Sequence, residues 1–429
     1  MKNITILCLG TRGDIQPYAA LALGLQERGF RPKLAAPINF EAFIRGYGLE
    51  YSPIEMNTEE GLKSKEGRAW LAAGNSRAFI RHLNELMKRD RPALERGVEE
   101  AARGADAIVG TAMTLAEGIS ISEKLKIPFL ASQIYPLVPA SREYPNFLVA
   151  PKGSRLGLVN YVTHLLFERA WWQGIRGDLN QWRSKLGLPA MEVSPARWCR
   201  ERRIPTLHHY SETLFPRPAD WPGHHVLTGP LFVPERREAP LSGKLLEFLH
   251  AGPPPVFLGF GSMPILDPEA ALQMTSRVTH KLGVRAVIGA GWSEFRPAAV
   301  DRHVFLVDSA EHNQLFPRCQ ALVHHGGAGT TFTGLRWGRP AAVFSVFADQ
   351  PFWGERLRKA GAGIHYGFRA FSEETLLASL RHVLSPEVQA RARELGKRLE
   401  DEAGVAASVE QIERRLGGAV LRQRAAVAR

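Results

Sequence analysis

Short apolar runs alternate with helical patterns twice over in this chain, and that alternation restricts its fold more tightly than any other feature. The run Ile4–Leu9 ends at a turn containing Gly10 and Gly13 and passes into Tyr18–Arg28, whose apolar residues recur at helical spacing. Pro17 suits the first helical turn, which makes Gln16 the cap and places Asp14 outside the helix; Gly29 supplies the stop. Further apolar runs follow at Lys33–Ala36, Ala107–Gly110, Phe129–Ala131 and Val226–Leu227, with helical patterns at Ala78–Ala102 and Glu117–Leu125. Residues Pro234–Gly243 form a charged, proline-bracketed linker. Beyond it the alternation restarts. Val256–Phe260, Arg285–Ile288, Val304–Val307, Ala321–His324 and Ala341–Ser345 read as strands. Helices are expected over Glu269–Lys281, over Thr330–Trp337 and from Glu355 to Gly361, and Pro386–Leu416 is helical and charged. Strands separated by helices must lie parallel, with helices on both faces of the sheet. The expectation is an α/β chain of two doubly wound, Rossmann-like domains facing across a cleft. Residues 1–235 would form the first and 244–404 the second, and the helix of 405–429 could pack back on the first. In open α/β sheets ligands bind at the carboxyl ends of the strands, so the chemistry should sit in the loops that follow them.

The bulk composition agrees with this plan. At 429 residues the chain is too long for one core and suits two domains of about 200 residues. Its 45% hydrophobic and 23% charged residues are those of an ordinary globular protein, and no apolar run reaches membrane-span length. The first apolar run is broken by Thr5 and leads into Gly-Thr-Arg-Gly-Asp without a cleavage site, so it reads as a buried strand and the expected location is the cytoplasm, with the membrane periphery as the alternative. Cys8, Cys199 and Cys319 are scattered and lack disulfide or metal spacing. The net charge of +12 comes from arginines spread along the chain without a nucleic-acid-binding motif. Solvated basic surface explains most of it; attraction to anionic lipid headgroups, and so transient contact with a membrane surface, is the alternative.

The densest chemistry is His324-His325-Gly326-Gly327-Ala328-Gly329-Thr330-Thr331, between a strand and a helix. Glycines there let backbone amides approach a ligand, and several N–H groups converge at the positive end of the helix, a ready anion site. The hydroxyls of Thr330 and Thr331 could add bonds to phosphate. A tight turn with a helix cap would look similar, but the next strand ends in Phe347-Ala348-Asp349-Gln350-Pro351-Phe352-Trp353-Gly354. Asp349 beside Gln350 is an acceptor next to an amide, suited to the vicinal hydroxyls of a hexose. Together with Gly334-Leu335-Arg336-Trp337-Gly338-Arg339-Pro340, these segments resemble the donor-binding signature of family 1 glycosyltransferases of GT-B fold, in the form seen in sterol 3-beta-glucosyltransferases and antibiotic glycosyltransferases. The resemblance implies that His324, or its neighbour His325, holds the pyrophosphate with the amides of Gly326, Gly327, Ala328, Gly329 and Thr330, while Asp349 and Gln350 hold the sugar. It also implies donor contacts from Ser262 in Gly259-Phe260-Gly261-Ser262, from Trp292, and from His312 in the region that seats the base.

The segment Gly10-Thr11-Arg12-Gly13-Asp14-Ile15-Gln16-Pro17 resembles the amino-terminal motif of the same enzymes, in which the aspartate is the general base. An alcohol is a poor nucleophile, and a carboxylate within hydrogen-bond reach can take its proton as the bond to the anomeric carbon forms. Relatives with a histidine base orient it with a second acid. Here the corresponding Ile108–Met113 contains none, which suits Asp14 acting alone with Thr111 as a minor partner. Candidate acceptor contacts are Thr111, Tyr135, Phe167 and Trp171. The last two belong to an aromatic and aliphatic stripe in Asn160–Leu188 that could be either core packing or the wall of a greasy pocket.

The expected activity is inverting, metal-independent transfer of a hexose, glucose first, from a UDP-sugar to a hydroxyl of a sterol, terpenoid or polyketide. The partners are then a nucleotide-sugar donor and a lipophilic acceptor, with no cofactor, no metal and no nucleic acid. A lipid-linked saccharide acceptor or a dTDP-sugar donor keeps the same fold. A nucleotide-sugar epimerase would need paired acid and base groups at the sugar. A dehydrogenase would need Gly-x-Gly-x-x-Gly after the first strand, which is missing.

Overall fold

The computed structural model describes residues 1–58, 60, 85, 87–150, 156–234, 241–260, 268–290, 301–308 and 310–427. In the first half, strands β1 (Asn3–Leu7), β2 (Arg31–Pro37), β3 (Glu50–Ile54), β4 (Ala107–Gly110), β5 (Phe129–Gln133), β6 (Thr206–His208) and β7 (His225–Leu227) form a sheet in the order β3-β2-β1-β4-β5-β6-β7. Helices α1 (Arg12–Glu27), α2 (Glu41–Arg45), α3 (Arg91–Ala101), α4 (Leu115–Leu125), α5 (Gly157–Lys185) and α6 (Pro195–Glu201) accompany it. In the second half, β8 (Val256–Gly259), β9 (Ala286–Gly289), β10 (Val304–Val307), β11 (Ala321–His324), β12 (Ala341–Ser345) and β13 (Gly363–Gly367) form a sheet in the order β10-β9-β8-β11-β12-β13. Its helices are α7 (Gly243–His250), α8 (Pro268–Leu282), α9 (His312–Leu315), α10 (Ala328–Arg336), α11 (Gln350–Lys359), α12 (Glu373–Val383) and α13 (Pro386–Glu400), and α14 (Gly404–Val427) closes the chain. Every strand pair in both sheets is parallel.

Side-chain alternation explains why β1 is apolar at nearly every position. Ile4, Ile6 and Cys8 pack with Leu34 and Ala36 on one face, under α1, while Leu7 and Leu9 pack with Ala35 on the other, under α3 and α4. A strand covered on both faces has no solvent side to make polar. Helix α14 returns to the first half: Val409, Ile412 and Leu416 join the core beneath α1, Lys2 Nζ donates to the Leu416 carbonyl at 2.9 Å, and Gly24 leaves room for Val405.

An aromatic seam joins the halves. Phe147 meets Phe352 with ring centres 5.8 Å apart, Tyr210 meets Trp353 at 5.7 Å, and the Arg356 guanidinium lies over Phe215 at 5.0 Å. Arg12, at the start of α1, pairs with Glu311 just before α9 at 3.9 Å. The carboxyl ends of the two sheets therefore approach each other, which is where both glycine-bearing loops lie.

Candidate active site

The loop after β1 differs from the sequence expectation in one respect. The helix begins at Arg12 with Thr11 as its N-cap, so Pro17 lies inside α1 and Asp14 within its first turn. Thr11 starts the helix early because Asp14 Oδ2 accepts from its amide at 2.7 Å and its hydroxyl at 3.0 Å, the acidic half of a capping box. Both bonds use one oxygen, and Asp14 Oδ1 has no hydrogen-bond partner among the described residues. Gly10 stands at φ +130° with the Asp14 carboxylate where a Cβ would lie, so a side chain there would displace the carboxylate. Burial pushes the Asp14 carboxyl up to about 6, against the lowering effect of the two Thr11 bonds.

The loop after β11 presents the start of α10. Gly326 adopts φ +93°, and a Cβ on it would meet Val343 Cγ1 at 2.7 Å and the Gln350 carbonyl at 2.9 Å, so this turn requires glycine. The two histidines differ. His324 is wholly buried, and its Nδ1 accepts from the Gly326 amide at 3.0 Å, which puts the proton on Nε2. His325 is half-buried, and its Nδ1 is enclosed without a partner, leaving Nε2 as the nitrogen able to meet a ligand. Burial keeps both rings neutral, with His325 pushed down to about 4 and His324 well below its ordinary value. Gly329 is exposed and Thr330 half-buried at the helix start, whereas the Thr331 hydroxyl donates to the Gly327 carbonyl at 3.0 Å and is turned inward, away from any phosphate. His312 stacks on Phe316 with ring centres 4.3 Å apart, and burial beside Arg12 lowers it to about 4.

The loop after β12 carries the second carboxylate. Ala348 sits in the left-handed region at φ +55°, strained for a residue with a side chain, and turns the chain into Asp349 at the cap of α11. Asp349 Oδ2 accepts from the buried Trp353 Nε1 at 2.9 Å, and the nearby Ala328 amide helps to hold its charge. Burial, and then the charge of Asp14 from the opposite domain, push the Asp349 carboxyl up to about 7. Gln350 Oε1 accepts from the Val346 amide at 2.9 Å and the Phe347 amide at 3.3 Å, so its oxygen braces the loop and its Nε2 is the group left for a ligand. Helix α11 starts at Gln350 rather than at Glu355, because Pro351 occupies its first turn, where a missing N–H costs nothing.

Burial, and then the charges of Asp14 and Asp349, raise the Tyr135 phenol far above its ordinary value. Thr111 is different: it is buried, and its hydroxyl is bonded to that of Thr114 at 3.1 Å inside a capping turn. Phe167 and Trp171 stack at 6.0 Å on α5 and line a cavity between α4, α5 and α6. Sequence reading did not pick out Arg91, Gln133 and His164, which line the same cavity; nothing in their local pattern sets them apart from ordinary polar positions. Ser262 and Trp292 lie outside the described residues. Among the described residues no group of His, Cys, Asp or Glu is arranged to hold a metal ion, and no helix is long and apolar enough to cross a membrane.

Two doubly wound domains with acidic and glycine-bearing loops at their facing strand ends define the GT-B class. Solved structures agree: the glycotransferase of kitacinnamycin superposes with a TM-score of 0.71 at 17% identity, covering 96% of this chain and 98% of that one. The glycosyltransferase VinC in complex with dTDP gives 0.67 at 16% identity, covering 97% and 99%. Residues 4–142 match the glycosyltransferase family 28 N-terminal domain, and residues 293–416 match the erythromycin biosynthesis protein CIII-like C-terminal domain. The sterol 3-beta-glucosyltransferase UGT80B1 of Arabidopsis thaliana is 33% identical over 423 residues, covering 96% of this chain and 68% of that protein. The sterol 3-beta-glucosyltransferase of Neosartorya fischeri is 32% identical over 433 residues, of which the chain spans only 29% of the length. The chain belongs to the glycosyltransferase family that contains the sterol 3-beta-glucosyltransferases.

Proposed function

We propose that this protein is an inverting, metal-independent glycosyltransferase that moves a hexose, glucose in the first instance, from a UDP-sugar to a hydroxyl of a lipophilic acceptor such as a sterol, terpenoid or polyketide. The observation that carries this reading is the pair Asp14 and Asp349. They stand at strand ends of opposite domains, close enough for one charge to raise the other's pKa, beside the N-terminus of α10.

Each group has a distinct task. Asp14 is held by Thr11 through Oδ2, and its Oδ1 accepts the proton of the acceptor hydroxyl as that oxygen attacks the anomeric carbon. The bond to the nucleotide diphosphate breaks on the opposite face, so the configuration inverts. The charge that develops on the leaving phosphate meets the amides of Gly329 and Thr330 and the positive end of α10. Half-burial supports His325 over the enclosed His324 as the imidazole that reaches this phosphate. Asp349 and Gln350 Nε2 take the sugar hydroxyls. Tyr135 stands where the acceptor hydroxyl would enter, and the cavity walled by Phe167 and Trp171 takes the apolar body. Family membership supports glycosyl transfer, and the sterol relatives support glucose and a lipophilic acceptor.

The test is incubation with UDP-glucose or dTDP-glucose and a panel of sterols, polyketides and phenols in EDTA, with the product's anomeric configuration read by NMR. A β-glucoside from the α-linked donor, formed at an undiminished rate under chelation, is expected. No glucoside from any pair, retention of configuration, or loss of turnover with EDTA would each count against part of the reading.

A further inference from the structure

The cavity walled by Phe167 and Trp171 is not purely greasy. Its lining includes Met113, Leu137, Val138 and Ile175 together with several buried polar side chains, of which Gln133, Arg91 and His164 carry polar atoms without a partner. Gln133, the last residue of β5, has no exposed surface, and neither its Oε1 nor its Nε2 has a hydrogen-bond partner. Arg91 is only 9% exposed: its Nε donates to Glu95 at 2.9 Å and its Nη1 to Glu117 at 2.7 Å, yet its Nη2 is unpartnered. His164 is 3% exposed, and its Nε2 bonds the Tyr144 carbonyl at 3.0 Å, which makes the unpartnered Nδ1 an acceptor.

Leaving a buried donor or acceptor unmade is costly, so a cluster of such groups facing one cavity calls for a partner that is absent from the free protein. A core needing only to be filled would carry apolar residues at these places. Four unmet groups on one cavity, two donors and two acceptors, instead form a complement for oxygen functions on a bound molecule. Gln133 ends β5 two residues before Tyr135, at the carboxyl edge of the same sheet whose first strand leads to Asp14.

We propose that this cavity selects acceptors bearing a second oxygen function, a ketone, ester or hydroxyl set within an apolar skeleton, and that the Gln133 amide, with Arg91 Nη2 and His164 Nδ1, recognises it. A sterol whose single oxygen is the hydroxyl to be glycosylated would leave these groups unmet. The assignment rests on the acceptor role proposed above for the cavity.

The experiment compares dehydroepiandrosterone with the same steroid alcohol lacking the D-ring ketone oxygen. Binding is followed by tryptophan fluorescence and glucoside formation in parallel, for the wild type, Gln133→Met and Gln133→Leu. The wild type should bind the ketone about tenfold more tightly, with a matching difference in KM rather than kcat. In both variants that ratio should fall to near one. An amide unmet in the free protein adds nothing to folding, so neither variant should melt below the wild type. Equal affinity for the two steroids in the wild type, failure to bind either, or a drop of several degrees in Tm with the preference retained would overturn the proposal. Glucosides formed from both steroids at equal KM would overturn it while glycosyl transfer stands. Selective binding without any glucoside would count against glycosyl transfer and leave the cavity assignment intact.

Discussion

Replacing Asp14 by Asn should make the protein more stable and far less active, and the opposition of these effects distinguishes a base from a helix cap. Asn keeps an oxygen to accept from the Thr11 amide and hydroxyl, so the start of α1 survives. What is lost is the negative charge. Burial raises this carboxyl from 3.8 to about 6, and one unit corresponds to about 1.4 kcal/mol, so ionising it in the folded protein costs roughly 3 kcal/mol more than in the unfolded chain. Solvent reaching the half-buried group reduces this to about 1–2 kcal/mol. The sign follows from the raised value. The cost is absent below pH 4, where both states hold the proton. It grows between 4 and 6 and is complete above 6. Asp14→Asn should therefore melt about 3 °C higher than the wild type at pH 8 and equally with it near pH 4. Over the same range wild-type kcat/KM should rise through an apparent pKa near 6, because only the carboxylate accepts a proton. The variant should lose about 10²- to 10⁴-fold, with donor affinity preserved. Calorimetry across pH and a coupled assay of nucleotide release measure the two sides. A variant that melts lower than the wild type at pH 8 and turns over normally would refute the argument, since Asp14 would then be a cap and nothing more.

Two other perturbations test the frame around it. Gly326→Ala forces a side chain into φ +93° and against Val343 and the Gln350 carbonyl; it should cost about 2 kcal/mol and weaken nucleotide-sugar binding at least tenfold, read by Tm and by titration with the nucleotide diphosphate. Truncation before Gly404 removes Val409, Ile412 and Leu416 from beneath α1; the melting transition should fall by more than 10 °C or be lost, and a truncated protein of unchanged Tm would contradict the packing described.

The fold was legible wherever a local pattern carried it. Strands β4, β11 and β12 lie where the apolar runs predict them, because a strand buried on both faces must be apolar throughout, and the apolar run Val304–Val307 also forms β10 at the sheet edge. Strands β3, β6 and β13 left no such trace. Glu50-Tyr-Ser-Pro-Ile contains a proline and lies at the sheet edge, Thr206–His208 is three residues long, and Gly363–Gly367 is an edge strand framed by glycines. The start of α1 was misplaced because Pro17 offered a plausible first turn, while the capping bond from Thr11 to Asp14 is a preference too weak to outrank it in sequence.

Residue identity and spacing determined by themselves that two parallel sheets would form, that a glycine-rich turn would precede the helix after His324, and that Asp14 and Asp349 would follow strands. Those properties depend on neighbours a few positions away. Only the tertiary structure decided that the charge of Asp14 reaches Asp349 from the opposite domain and raises it, that His325 and not His324 keeps exposed surface, that Thr331 and Thr111 are turned inward, and that Gln133, Arg91 and His164 line one cavity. Burial and electrostatic coupling are set by groups far away in the chain, and no local pattern encodes which of them will meet.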